Sequence, residues 1–482
     1  MKRLGLIVAF AIPLAAAGPF VKVRVSSGGG STVIDLPAER YVAGVLAGES
    51  SVFRSDSALR AMALAARTYA VRLRGRHSAE GFDFCSSTHC QRVDLKSITP
   101  RLESIAEETA GELVWFRGRP AFTPYSRACG GQTENAAALW PDLASPYLKS
   151  HNDEWCRRAG VRPWQWSGDP VAIVQALVRS GLRVPRKLAG ISIAKRTASG
   201  RAAVLTLIGA GESLPVSAGS FRLAVARDLG WNSIASEFYE VKTGGGRLEF
   251  QGRGSGHGIG LCQSGADQMG TEGRTYRDIL AFYYPGTAVG VTAQGLSWQR
   301  LGGATLALWT TEPQRDGGVL AIAEREMHGA LERTAWQPPR GADIRVYPDV
   351  DSFRNATGEP GWVAAYTSGR HIHLQPVAVL RSRGALESTL RHESMHLLLE
   401  SRAAPELPIW FREGLAGYLA GSRTRPTGAV PPEVRRAYSD SIRVVTGLAQ
   451  RYGEATVLGW VSAGLPPDVR NASSNHAATN SR

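Results

Sequence analysis

Three groups of residues stand at spacings that can do chemistry. His392, Glu393 and His396 make a His-Glu-x-x-His motif inside a helical pattern of apolar Leu386, Leu390, Leu397 and Leu398. Residues four apart on a helix share one face, so both imidazoles can reach one metal ion. Glu393 then stands where it can take a proton from an attacking water. Pro405 and Pro408 break that helix and Ile409 opens another, which lets the chain double back and present Glu413 as a third ligand. A His/His/Glu set leaves a fourth position open, the arrangement used for hydrolysis, and Zn2+ is the expected cofactor. In the second group His89 lies between Cys85 and Cys90, with His77 upstream. These four can hold a metal ion, yet the spacing is looser than Cys-x-x-Cys, and a Cys85–Cys90 disulfide fits an exported chain equally well. The third group is Cys129, Cys156 and Cys262. Five cysteines leave at least one thiol over or bound to metal, and a Cys129–Cys156 disulfide would make Cys262 the odd one.

The elements that must position these residues can be read from periodicity. A strand is expected over 32–36, after a turn at Gly28, Gly29 and Gly30, and a helix over 38–48. Leu59, Met62, Ala66, Tyr69 and Leu73 recur at the spacing of one buried helical stripe, with Ser55 or Asp56 as its N-cap. Shorter β-like runs fall at 112–116, 203–208 and 248–251. The glycine-dense stretch 252–260 does not fit G-x-G-x-x-G, which excludes dinucleotide binding. It reads as a tight turn into a helix from Ser264, with His257 inside it. The second half opens with a strand over 304–309, a helix over 319–335 and a strand over 344–348. Two helices, 385–401 and 409–419, then carry the zinc motif.

At 482 residues the chain is too long for one core of ordinary size. Lys2 and Arg3, the apolar run 4–14 and Ala15-Ala16-Ala17 form a secretory signal pattern, with cleavage expected near Gly18. That run is too short to span a bilayer, and no later segment is long and apolar enough, so no membrane span is expected after cleavage. Export to the periplasm or cell envelope follows. The formal net charge of +14 becomes +12 without Lys2 and Arg3 and favours an anionic partner. No Lys/Arg run or recognition-helix pattern supports nucleic acid.

The motif at 392–396 with Trp-Phe-Arg-Glu-Gly-Leu-Ala-Gly-Tyr over 410–418 resembles the gluzincin peptidases of the peptidase MA-like group. The resemblance implies Glu413 as third ligand, Glu393 as catalytic base, and a peptide or protein substrate. The first half resembles the SpoIID (stage II sporulation protein D) family in six segments: 41–49, 63–70, 88–91, 129–133, 256–260 and 283–287. That likeness implies peptidoglycan glycan strands as substrate, lytic transglycosylase chemistry, and Glu49 as the catalytic carboxyl. One carboxyl can protonate the leaving oxygen and later accept the proton of the attacking sugar hydroxyl, unlike the two-carboxylate scheme of ordinary glycosidases. The acid role needs a raised pKa, which an apolar surround supplies. The resemblance also allows a metal at His77, Cys85, His89 and Cys90, and it puts His257 in the glycan cleft. Arg67 is left as a glycan contact or a buried salt-bridge partner. Some SpoIID-like proteins are amidase enhancers, so a non-catalytic module that binds the wall, stimulates a cell-wall amidase and targets the peptidase there is the alternative. The expected fold class is α+β in two domains, a mixed SpoIID-like one and a mainly helical gluzincin-like one with a small sheet. The layout is a signal peptide over 1–17, the glycan domain over 18–291, a linker over 292–303, the zinc domain over 304–464 and a flexible tail over 465–482.

Overall fold

The computed structural model of the chain describes residues 20–27, 30–49, 53–421 and 430–470. The expected signal peptide therefore lies outside the described residues, as do Gly28 and Gly29 of the expected turn. The chain divides into two compact units, one spanning Val21–Gly295 and the other running from Leu296 onward. Both mix helices and sheets, an α+β architecture. None of the described helices is long and apolar enough to cross a membrane.

The first unit is built round the helix Asp56–Leu73. Ser55 caps it, its hydroxyl accepting from the Ala58 N–H at 3.4 Å. Nearly every residue from Ala58 to Ala70 is buried, so the helix is covered on all sides and not along one stripe. Its small side chains make that possible: alanine at 58, 61, 63, 65, 66 and 70 lets neighbours approach closely. The helix Ala38–Glu49 follows directly on the strand Gly30–Pro37 and packs beside it. Gly44 and Gly48 face the segment 92–95: a Cβ on Gly44 would come within 2.9 Å of Val93, and one on Gly48 within 2.9 Å of the Arg92 carbonyl carbon. Only glycine permits that approach, which holds the helix end, and Glu49 with it, against 91–94.

Between Cys156 and Cys262 lies a subdomain that periodicity did not foresee as a whole. The strands Leu188–Arg196, Ala202–Gly209 and Ser213–Ser217 form one antiparallel sheet, and Tyr239–Gly244, Arg247–Gly252 and Trp164–Gly168 form another. The helices Pro170–Arg179 and Ala218–Leu229 complete a separate core around Phe221, Leu205 and Phe250. The chain then returns to the main core, where the strand Leu261–Cys262 pairs in parallel with Tyr125–Ser126.

The second unit has a five-stranded mixed sheet in which Asp343–Val346 is central, parallel to Ala307–Thr310 and to His371–Leu374. Its edges are Gln299–Gly302 and Ala365–Ser368. Part of the expected linker is thus a strand: Gln299–Gly302 is polar in sequence because an edge strand keeps one side in solvent. The first described strand of the expected 304–309 run starts at Ala307, with Leu306 buried ahead of it. Against the sheet pack the helices Gly318–Thr334 and Leu386–Glu400, followed by Ile409–Leu419 and the 21-residue helix Pro432–Tyr452. Leu465 and Val469, placed in the expected flexible tail, are buried in this core; 471–482 lie outside the described residues.

Candidate functional site

In the second unit the helix Leu386–Glu400 puts His392 and His396 one turn apart, with their Nε2 atoms 3.1 Å from each other. The helix Ile409–Leu419 brings Glu413 Oε2 to 3.8 Å from His392 Nε2 and 3.4 Å from His396 Nε2. An ion pair between Arg412 and Glu400, at 2.6 Å, ties the two helices together. Gly414 and Gly417 let the helix Pro432–Tyr452 close in, since a Cβ on either would run into Ser441 or Ile442. The close approach delivers the Tyr438 hydroxyl to 3.1 Å from His392 Nδ1. Such an outer partner fixes the ring and its tautomer, leaving Nε2 for a metal. Glu393 is buried, and its Oε2 accepts from the Thr367 hydroxyl at 2.6 Å.

The electrostatics fit a cation. Burial lowers the His396 pKa, but the Glu413 carboxylate outweighs it and holds the imidazole up at about 9. Burial raises Glu413, but His396 and His392 prevail and hold it well below the carboxylate range. Two imidazoles and a carboxylate converging this closely match the N/N/O donor set of a catalytic zinc. Glu359, a buried carboxyl that sequence reasoning missed, is pushed up to about 7 by burial and by the charges of Glu393 and Glu413. Tyr438, Thr367 and Glu359 carry no motif, so only the fold reveals them.

In the first unit Glu49 ends its helix half-buried. Burial raises its pKa, and the Gln263 amide, 3.5 Å from Oε2, together with Arg92 and Arg127 only partly reverses this. A chain of hydrogen bonds lies behind it: Tyr41 donates to Gln91 Oε1 at 2.7 Å, and Gln91 Nε2 donates to the Tyr125 hydroxyl at 3.1 Å. The structure brings His77, Cys85, His89 and Cys90 together, their ligand atoms all within 4.8 Å of one another. His77 Nε2 stands 3.3 Å from Cys90 Sγ while Glu80 holds His77 Nδ1 at 2.6 Å. Burial raises the Cys85 thiol, yet hydrogen bonds from Ser87 and His89 bring it down to about 7. Two imidazoles and two thiols with a carboxylate behind one ring suit zinc. Both cysteines are free thiols, as are Cys129, Cys156 and Cys262.

Arg67 and His257 both meet partners within the fold. Arg67 is 4% exposed and pairs with Glu39, its Nε donating to Oε1 at 3.0 Å, while its other nitrogens reach Glu112 O and Ala106 O. At that exposure it serves as a buried salt-bridge partner. His257 is half-buried edge-on to Trp140, its Nδ1 accepts from the Ile259 N–H at 3.0 Å, and burial drives its pKa down to about 3. A neutral ring of this kind can still border a cleft. Cys129 and Cys156 do come together, and Cys262, which spacing left as the odd thiol, joins them with Asp153.

The first unit thus places one half-buried carboxyl beside a polar network. Residues 26–116, which contain Glu49 and the His77–Cys90 group, match the family model for SpoIID, the stage II sporulation protein. The chain is 29% identical to stage II sporulation protein D of Bacillus subtilis over 285 residues, 56% of this chain and 79% of the relative. It is 27% identical to the protein of that name from Bacillus amyloliquefaciens over 286 residues, 56% and 78% of the two chains. A likeness of 26% over 296 residues links it to the amidase enhancer of B. subtilis, covering 51% of this chain and 40% of the relative. Together these support a SpoIID-family domain in the chain.

Proposed function

We propose that the chain is an exported cell-wall protein that cleaves peptidoglycan glycan strands by lytic transglycosylase chemistry and hydrolyses peptides with a zinc site in its second unit. The observation that carries the hydrolytic part is the convergence of His392 Nε2, His396 Nε2 and Glu413 Oε2 within 3.1–3.8 Å. These three would hold Zn2+, which supplies Lewis acidity towards the scissile carbonyl. Glu393, held by Thr367, is the base that takes the proton of the attacking water and passes it to the leaving amine. Tyr438 orients His392. In the first unit Glu49, whose pKa burial raises, is the carboxyl that protonates the glycosidic oxygen, and the carboxylate left behind accepts the proton of the attacking sugar hydroxyl. His77, Cys85, His89 and Cys90 would hold a second zinc that braces the segment carrying Gln91.

The likeness to an amidase enhancer supports a second reading, in which the first unit binds the wall without cutting it and recruits an amidase. Purified peptidoglycan separates the two. Release of anhydro-muropeptides by the full chain, lost in Glu49→Gln, supports cleavage; unchanged wall binding with no release sinks it. For the peptidase, one zinc equivalent lost in His392→Ala/His396→Ala is expected, and no loss refutes the metal site.

A further inference from the structure

Asp153, Cys129, Cys156 and Cys262 meet in the core of the first unit, with exposures of 0, 0, 2 and 0%. One ligand atom from each lies within 4.8 Å of all the others. They come from four different places: the turn after Tyr125–Ser126, the cap and the body of the helix Glu154–Arg158, and the end of the strand Leu261–Cys262. We propose that these four residues form a closed, structural zinc site, separate from the two described above.

Backbone and side-chain polar groups converge on the cluster. The Cys129 N–H donates to Cys262 Sγ at 3.2 Å. The Gly130 and Gly131 N–H groups turn towards Cys156 Sγ, and both residues have φ of +73° and +91°, which glycine alone adopts freely. The Cys129 thiol donates to Asp153 Oδ2 at 3.1 Å. The Tyr283 hydroxyl donates to the same carboxylate at 2.9 Å, and the Cys156 N–H holds Oδ1 at 2.9 Å. Gly265 keeps the space, because a Cβ there would collide with Tyr283 and Asp153. Three sulfurs and one oxygen within 4.8 Å of one another, with outer hydrogen-bond partners on Cys262, Cys156 and Asp153, suit Zn2+ held without an open position. Arg201, 2% exposed, donates to the Cys129 and Gln132 carbonyls and places a buried positive charge beside the anionic cluster.

The test uses the full chain carrying His392→Ala, His396→Ala, Cys85→Ser and Cys90→Ser, purified under reducing conditions with zinc. One zinc equivalent is expected, and adding Cys156→Ser should remove it. Loading the four-substitution chain with Co2+ should give intense thiolate-to-cobalt charge-transfer absorption, which needs no change at the site and so survives a misfolded Cys156 variant. If the four-substitution chain itself misfolds, Cys156→Ser alone should cost the otherwise unaltered chain one equivalent. Absence of zinc with three titratable thiols overturns the proposal. So does a mass lower by two hydrogens, which would mean a disulfide between two of the three cysteines.

Discussion

Replacing Gly48 with alanine tests how Glu49 is positioned. The new methyl would lie 2.9 Å from the Arg92 carbonyl carbon and nearer still to its oxygen, where ordinary contact begins at 3.4 Å. Backbone cannot rotate aside as a side chain can, so the helix end or the 92–94 segment must move by about 1 Å, at an overpacking cost of about 1–3 kcal/mol. Glu49 is the next residue and its partners Arg92 and Gln263 are the groups displaced. A misplacement of that size costs roughly 100-fold in rate for a positioned catalytic group. Thermal unfolding and the per-mole rate of anhydro-muropeptide release measure the two effects. Gly219→Ala is the control, since its nearest atoms are 3.8 Å away, and it should be neutral or stabilising by up to about 1 kcal/mol. A Gly48→Ala protein as stable and as fast as its parent would refute the packing argument. Lost stability with an unchanged rate of the folded fraction would instead free Glu49 from its assigned role.

Glu49→Gln should abolish glycan cleavage while raising the melting temperature at neutral pH. Burial holds the carboxyl above its ordinary pKa, so the parent loses stability as pH rises through that value, and the advantage of Gln should vanish below about pH 4. Metal-free protein should lose stability between pH 6.5 and about 9, because His396 is raised between those values; Glu413→Gln should flatten that slope in urea titrations across pH. Tyr438→Phe should weaken zinc binding about 10–100-fold in chelator competition, and an unchanged affinity would remove it from the site. Arg67→Ala should destabilise the first unit by about 3 kcal/mol, since Glu39 and two carbonyls lose their donor; unchanged unfolding would contradict the buried pairing.

The two helices that bring His392, His396 and Glu413 together were legible in sequence almost to the residue. Ile409–Leu419 has the bounds that Pro408 and the apolar period dictate, and Leu386–Glu400 differs by one residue at each end. Local signals set those elements, and His392, His396 and Glu413 ride on them. Tyr438 was not legible, because it reaches His392 from 46 positions away through the approach that Gly414 and Gly417 allow. Cys262 was illegible for a similar reason: its partners come from the parallel pairing of Leu261–Cys262 with Tyr125–Ser126, 136 positions apart, which no periodicity encodes. The strand Leu188–Arg196 also hid, since irregular register along its pairing with Ala202–Gly209 breaks the two-residue alternation that marks a strand.

The subdomain between Cys156 and Cys262 enters on Trp164–Gly168 and leaves on Arg247–Gly252, and these two strands are antiparallel neighbours. Its start and finish therefore sit side by side, as in a cassette that a chain can acquire or exchange without rerouting the host. Two anchors limit that freedom, and one is Arg201, which donates to the Cys129 and Gln132 carbonyls of the host. Thr197 and Ser199, from the turn between two cassette strands, donate to the buried Glu134 of the host at 2.6 and 2.8 Å. Excising the cassette would strand that carboxylate in the core, so a minimal version of this protein should tolerate the deletion only when Glu134 is replaced by a neutral residue in the same step.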